Sequence, residues 1–356
     1  MSFFSNAAVN RLNLHSGIQT LAQEAGGLFI LVFLLRAGVP APLVLCSMAA
    51  MTAGRFILRP FVLPFARRYG LRTTLVLGTV LEAAVFPILP FVNGVDAAFL
   101  AMVLVSPLGS VLYWTCYHAY FATVGDDEHR GGQVAVRTAL MALVGIGAPL
   151  LGAPKVAVAD EAPGGFRAAW FGAALMACDG VFAGGYHYVW QVALFIALGE
   201  SFTAYGGAMA LSALVGTVFS LWIGRHIDAG KGRSAIVIAF VVAAGVLALR
   251  GVSLGSPWLA VTANALGALV VAVWIPALMA PIYNLAKASP CPLRFSVATE
   301  GGWDIGCGVS CLVGAAIVAS GAPYAAPILV GLVGALMAFA LLWRRYGVSA
   351  ATALST

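Results

Sequence analysis

The 356-residue sequence has very little charge, since Asp, Glu, Lys and Arg together make up 9% of it. A soluble domain is about a quarter charged and about half apolar. This chain is instead 62% hydrophobic, with a mean hydropathy of +0.98. The scarcity of charge excludes water as the main solvent of the folded chain. We therefore predict an all-α polytopic membrane protein, whose first partner is the lipid bilayer.

Several motifs of enzymes and metal proteins are also absent. The sequence has no Walker-type phosphate loop, no metal-ligand spacing and no nucleophile–His–acid motif. The His- or Asp-rich interfacial motif expected of a membrane acyl or prenyl transferase is missing too. Its six cysteines lie in or beside apolar segments, which indicates buried thiols rather than a disulfide framework. We expect no enzyme activity, no cofactor and no bound metal, and no removable signal peptide at the N-terminus.

Most of the 19 basic residues cluster in alternate loops between the apolar segments. They are Arg67, Arg68 and Arg72; Arg130 and Arg137; Arg225, Lys231 and Arg233; Lys287 and Arg294; and Arg344 and Arg345. The intervening loops, around residues 37–42, 93–97, 200–205 and 252–257, contain no Lys or Arg. This positive-inside pattern places both termini in the cytoplasm, in a cell inner membrane. It also accounts for the net charge of +6 without nucleic acid as a partner.

Eleven segments are long and apolar enough to be candidate spans. They are 17–36, 42–63, 73–93, 97–122, 137–158, 168–199, 206–224, 234–252, 257–284, 296–319 and 324–343. Eleven crossings cannot join two termini on one side, so we predict one span short or missing in the middle. This divides the chain into an N-terminal half, 1–160, and a C-terminal half, 161–356. An alternative folds 166–199 into two short spans that turn at "DGVFAGG".

The two halves repeat weakly, which is typical of secondary transporters. "LFILVFLLRAGVPAPLVL" (28–45) is similar to "LFIALGESFTAYGGAMAL" (194–211), and each precedes a span and a basic loop containing glycine. The second loop, "GRHIDAGKGR" (224–233), resembles the Gly-x-x-x-Asp-Arg-x-Gly-Arg motif of major facilitator superfamily transporters. "GDDEHRGGQ" (125–133) and "GIGAPLLG" (145–152) resemble that family's loop after the fourth span and its fifth span.

The resemblance implies a cytoplasmic latch that holds one conformation and releases the other. In the second half its residues are Gly224, Arg225, Asp228, Gly232 and Arg233, with the last two one position late and alanine in place of the motif's first arginine. In the first half they are Arg68, Gly70 and Arg72, with Arg67 in place of the motif's aspartate and Leu63 in place of its glycine. The alternative is that these loops only orient the spans.

Ionisable residues inside spans are costly unless paired or hydrated, so they are candidates for function. Glu300 and Asp304 share one helical face, with Trp303 beside them. Two carboxylates this close disfavour double ionisation, which predicts a proton-binding or substrate-binding face, with Asp304 as the main proton site. The alternative is a structural ion pair with an arginine of a neighbouring span.

Other polar candidates lie on the spans that would face the same cavity. Arg55 and Arg59 lie one turn apart, and we expect them to pair with Glu24, Glu82 or an anionic substrate, or to extend to the interface. Two aromatic stripes add candidate binding residues. The first contains Trp114, Tyr117 and His118, and the second contains Asp179, Tyr186, His187 and Trp190. Such stripes suit an amphipathic organic solute, although packing is the commoner role of aromatic residues.

Together these patterns predict a monomeric secondary transporter of the major facilitator type. It would move a small organic solute by alternating access, coupled to protons. The alternative is a transport-inactive membrane protein, a shortened relative acting as a binding module or remnant. The lost Asp at Arg67 and the short middle favour this alternative, whereas the retained intramembrane acids favour transport.

Overall fold

The architecture comes from a computed structural model, which describes residues 28–124, 165–227 and 232–353. The N-terminal helices are α1 (Leu28–Arg36), α2 (Ala41–Tyr69), α3 (Leu71–Ala83) and α4 (Ala97–Val124). The C-terminal helices are α5 (Gly165–Ala168), α6 (Trp170–Ala183), α7 (Trp190–Ala197), α8 (Phe202–Ile227), α9 (Gly232–Ser253), α10 (Pro257–Ala288), α11 (Pro292–Ala319) and α12 (Ala325–Ala353). The predicted short middle, between Arg137 and Phe166, falls almost entirely outside these ranges.

Seven of the described helices are long and apolar enough to cross a membrane. They are α2, α4, α8, α9, α10, α11 and α12. Hydrocarbon offers no partner to backbone amides, so each spanning segment satisfies its own as a helix. Proline marks the start of α10 and of α11, where its missing N–H is not needed. The prediction of an all-α membrane helical bundle is confirmed, and the protein is an integral membrane protein.

The predicted span 73–93 is regular only in its first part. Helix α3 ends at Ala83, and the chain continues in turns to a 3-10 helix at Leu89–Phe91. Between these helices the backbone N–H groups bond to carbonyls three residues back, and they belong to Ala84, Val85, Phe86, Ile88, Phe91 and Val92. Pro87 and Pro90 explain the change, because proline has no N–H and its ring clashes with the preceding helical turn.

The predicted span 168–199 is one helical path with a local widening. A π-helical segment, Gly184–Val189, joins α6 to α7 without reversing the chain. The alternative of two short spans turning at 179–185 is therefore wrong. A Cβ atom at Gly185 would lie 2.6 Å from the carbonyl oxygen of Ile328 on α12. The glycine thus allows close packing where the widening begins.

Helix α11 is the centre of the described bundle. It packs against α2 and α4 of the N-terminal part, and against α6 of the C-terminal part. Gly302 and Gly306 face the backbone carbonyls of Ala173 and Ala177, where a Cβ atom would collide. Helices α11 and α6 therefore approach each other closely at these glycines, and the other side of α11 places its charged face against α2.

Candidate functional site

Two arginines and one aspartate form an ionic cluster about halfway along α2 and α11. Arg55 Nε donates to Asp304 Oδ1 at 2.7 Å, and its Nη2 donates to the same oxygen. Arg59 Nε donates to Asp304 Oδ2 at 3.0 Å, and its Nη2 donates to that oxygen too. Asp304 and Arg59 are each 2% exposed. One buried carboxylate therefore binds two guanidinium groups.

Glu300 extends this cluster to α4 and α10. Its Oε1 lies 3.3 Å from His118 Nε2, and its Oε2 lies 3.9 Å from Arg59 Nη1. The other ring nitrogen of His118 lies 2.7 Å from the Tyr283 hydroxyl. Arg59 Nη1 also donates to the Thr115 hydroxyl at 2.8 Å. The network thus joins α2 and α4 to α10 and α11.

The helical register of the charges explains their pairing. Arg55 and Arg59 lie one turn apart on α2, and Glu300 and Asp304 lie one turn apart on α11, so two cations face two anions. Both arginines bind Asp304, which follows almost 250 residues later and was not among their expected partners. Glu24 lies outside the described residues. Asp304 thus forms an ion pair with arginines of a neighbouring span, as the alternative interpretation of this residue predicts.

Asp179 on α6 has a different environment from Asp304. Trp274 Nε1 donates to its Oδ1 at 2.7 Å, and Trp303 Nε1 donates to its Oδ2 at 3.1 Å. The side chain is buried, with 8% of the residue exposed. The Trp303 ring lies under the Arg55 guanidinium, 4.9 Å from its centroid. Trp303 therefore connects Asp179 to the ionic cluster.

The aromatic stripe of α6 and α7 packs against α10. The Tyr186 hydroxyl donates to the Gly267 carbonyl at 2.5 Å, and Trp190 Nε1 donates to Asn264 Oδ1 at 2.9 Å. Both aromatic residues are buried. His187 is exposed and lies edge-on to the Tyr186 ring. In this conformation the stripe is a helix interface rather than an open binding surface.

The aromatic residues of α4 surround His118. The Trp114 ring stacks on the His118 ring at 5.6 Å between centroids. Tyr117 is fully buried and meets the same ring edge-on. This second stripe holds the imidazole that faces Glu300, so the structure brings Trp114, Tyr117 and His118 to the ionic cluster.

Arg250 is a buried cation that the sequence-based candidates omit. Its Nη1 donates to the Tyr186 carbonyl at 2.6 Å, inside the π-helical segment. Its guanidinium lies over the rings of Tyr186 and Trp190, at 4.2 and 4.6 Å. A Cβ atom at Gly267 would collide with it. The signal was available, because Arg250 is the one charged residue of the predicted span 234–252.

Solved structures decide the fold to which this arrangement belongs. The human organic anion transporter MFSD10 (TETRAN) matches with a TM-score of 0.68 and 16% identity, over 94% of this chain and 98% of that one. The Escherichia coli fucose:proton symporter FucP matches with a TM-score of 0.66 and 12% identity, over 97% and 99%. The chain has the major facilitator superfamily fold. A bacterial homologue of the iron transporter ferroportin, in its outward-facing state, matches with a TM-score of 0.63 and 13% identity, over 97% and 99%.

Sequence comparison adds nothing to this likeness. No protein-family model and no curated protein matches the chain. Among the described residues, seven helices are long and apolar enough to span a membrane, which fits the major facilitator fold. The structural neighbours are transport proteins and not enzymes.

In the major facilitator fold, the first predicted latch region is a tight connection between α2 and α3. Gly70 has a φ of 84°, which favours glycine, and its N–H donates to the Ala66 carbonyl at 2.8 Å. Arg68 lies in the last turn of α2, over the Tyr69 ring, and Arg72 lies in the first turn of α3. Gly70 therefore allows the tight turn between the two helices, and Arg68 and Arg72 lie on either side of this turn.

The second predicted latch region is described only in part. Gly224 and Arg225 lie in the last turn of α8, and Gly232 begins α9. The Arg233 guanidinium lies 4.9 Å from the centroid of the Trp343 ring on α12. Asp228, which carries the predicted latch charge, lies outside the described residues.

The N-terminal and C-terminal helices of this fold meet at three levels. At one end Phe29 of α1 meets Tyr205 of α8 edge-on, with centroids 5.7 Å apart. In the middle lies the ionic cluster around Asp304. Towards the end where α2 carries Arg67 and Arg68, the rings of Phe121 and Tyr283 lie 4.7 Å apart. The polar cluster is therefore flanked by aromatic contacts above and below.

Proposed function

We propose that this protein is a secondary transporter that moves a small organic solute by alternating access and couples it to protons. The observation that carries the proposal is the buried ionic network of Arg55, Arg59, Glu300 and Asp304 between α2 and α11. Charged groups are rare inside membranes, and where they occur they mark substrate or ion pathways. The major facilitator fold of the chain supports the same activity.

The network suits alternating access because it joins the parts that must separate. In this mechanism the N-terminal and C-terminal helices rock against each other about a central site. Separating Asp304 from its arginines in a dry interior costs about 3–5 kcal/mol. Water or a polar solute that enters between α2 and α11 offsets this cost. The network therefore favours the closed centre until water or a solute replaces its internal bonds.

The chemistry of the network defines which solutes to test. It presents guanidinium, carboxylate and imidazole groups beside aromatic rings, which suits a polar or amphipathic organic molecule. The names of the structural neighbours add organic anions, fucose and iron. Aromatic cations complete the panel, because Trp303 and Trp114 flank the site and aromatic faces attract cations.

The proposal includes a topology. The two halves are 1–160 and 161–356, both termini lie in the cytoplasm of a cell inner membrane, and the transporter acts as a monomer. The described helices carry Arg67, Arg233, Lys287, Arg294 and Arg344 at one end of the bundle, which supports this orientation. Single cysteines placed at Arg68 and at Asp228 should react from the same side of the membrane. Labelling from opposite sides would invert the second half.

Uptake into proteoliposomes tests the function. We expect wild-type protein to accumulate at least one labelled solute of the panel when an inward pH gradient is imposed, and to lose accumulation when a protonophore is added. Protein-free liposomes and Arg59→Gln protein, matched for insertion, serve as controls. A wild-type protein that is folded and inserted but moves no solute of the panel supports the transport-inactive alternative instead.

A further inference from the structure

The three buried carboxylates of the described bundle have unequal partners. Asp304 accepts hydrogen bonds from two guanidiniums, and Glu300 lies beside Arg59 and His118. Asp179 instead accepts hydrogen bonds from two indole N–H groups, which are neutral. Its charge has no cationic partner within ion-pair distance among the described residues.

This difference decides which carboxylate is free of the ionic cluster. The carboxylate of Asp304 binds two guanidiniums through several charge-assisted hydrogen bonds, so it is committed to the cluster. Asp179 is held by two neutral indole donors, so a change of its charge leaves no buried cation without its partner. A protonated Asp179 still accepts a hydrogen bond from one indole.

The surroundings of Asp179 contain few other charges. From α11 it faces Trp303, with Glu300 close enough to add a like charge, and from α10 it faces Trp274. Its own helix adds the neighbouring thiol of Cys178. On α12, Arg345 lies over the Phe171 ring, and Phe171 is about 12 Å from Asp179 along α6. Among the described residues, the carboxylate thus faces one acid and no cation within ion-pair distance.

We propose that Asp179 is the carboxyl group that binds and releases the coupled proton, and that Trp303 links its charge to the Arg55–Asp304 pair. The step transfers one proton from water to a carboxylate oxygen and back. Protonation weakens one of the two indole hydrogen bonds of Asp179. The bond from Trp303 is the longer one, at 3.1 Å against 2.7 Å from Trp274, so we expect it to break. The released Trp303 ring is the one that lies under Arg55, so its movement changes the support of the ionic cluster. This inference rests on the proposed function and replaces Asp304 as the proton site.

Infrared difference spectroscopy tests the assignment without any solute. Purified full-length protein in nanodiscs is acidified from about pH 8 to about pH 5. We expect a carboxylic-acid C=O band to appear in wild-type and Asp304→Asn protein, to shift in frequency in Asp179→Glu, and to be lost in Asp179→Asn. Trp303→Phe should keep the band and shift its midpoint. A band that survives in folded Asp179→Asn, or one that is absent from the wild type, overturns the assignment.

Transport separates this inference from the proposed function. With one proton per neutral solute and no membrane potential, each unit of pH gradient supports about tenfold accumulation. We expect Asp179→Asn to equilibrate solute without accumulation, while solute exchange stays within about twofold of wild type. Asp179→Glu should restore accumulation. If wild-type protein accumulates solute and folded Asp179→Asn does so equally, Asp179 is not the proton site although the transporter function stands.

Discussion

Replacing Asp304 by asparagine should destabilise the protein strongly, because it leaves two buried guanidiniums without their shared carboxylate. The four charges of Arg55, Arg59, Glu300 and Asp304 balance in the native structure, and the substitution leaves an excess of one positive charge. Removing one partner of a buried pair costs about 3–5 kcal/mol. Arg55 is partly exposed, with 14% of its side chain accessible, which places the expected loss near the lower end, at about 3 kcal/mol. For a chain of 356 residues that corresponds to a melting temperature lower by about 4 °C.

The cause of the loss can be separated from a general effect of charge. Thermal unfolding of detergent-solubilised protein should be measured for Asp304→Asn, Arg55→Gln and the double variant. We expect the double variant to be more stable than Asp304→Asn alone, since it removes the excess charge, with a coupling of about 1–3 kcal/mol. Glu200→Gln provides the matched control, because it removes the same charge from an exposed position. That control should unfold within about 1 °C of wild type.

Two results would refute the reasoning about the ionic cluster. One is an Asp304→Asn protein that melts at the wild-type temperature, which means that water already compensates the arginines. The other is strict additivity in the double variant, which means that Arg55 and Asp304 do not stabilise each other. Either result removes the physical basis for treating the cluster as the lock between α2 and α11.

Three further predictions concern other parts of the bundle. Gly306→Ala should lower the yield of folded protein and its melting temperature, because its new methyl group meets a carbonyl of α6. Gly207→Ala has open space around it and should leave both unchanged. Size-exclusion profiles and melting curves of the two variants test this difference. Asp96 accepts two backbone N–H bonds at the start of α4, and these bonds lower its pKa. Its contribution to stability should therefore be complete above the usual pKa of Asp and be lost as the pH falls through the lowered pKa. Asp96→Ala should lack this pH dependence of the melting temperature, and a variant that keeps it would show that another group causes it. Asp228→Asn should slow solute uptake at normal expression if the second basic loop is a latch, and unchanged uptake means that the loop only orients the spans.

Much of the secondary structure was predictable from local patterns. Apolar segments of about 20 residues predict spans because the hydrocarbon core has a known thickness, and α9 to α12 follow the predicted spans closely. The segments that deviate contain residues with special backbone demands. Pro87 and Pro90 interrupt the predicted span 73–93, and Gly184 and Gly185 begin the π-helical segment. A hydropathy profile does not register these changes, because they alter hydrogen bonding rather than polarity.

The candidate site was predictable as a set of residues but not as a set of pairs. Arg55, Arg59, Glu300 and Asp304 were identifiable because an isolated charge in a span is costly. Which charges compensate one another depends on which helices are adjacent, so the pairing of both arginines with Asp304 was not predictable from the sequence. Arg250 shows the same limit, since its partners are a backbone carbonyl and two aromatic rings of another helix.

The sequence by itself determined that this protein lies in a membrane, that it is helical, and which buried charges need compensation. Each of these follows from local composition, because hydrocarbon selects apolar segments and hydrogen-bonded helices wherever they occur in the chain. Only the tertiary structure decided that α11 lies between α2 and α6. That placement gives Asp304 two guanidiniums and Asp179 two indoles, and so makes one aspartate a lock and the other the proposed proton carrier. The physical reason is that the cost of a buried charge depends on the partners within a few ångströms, and those partners are distant in sequence.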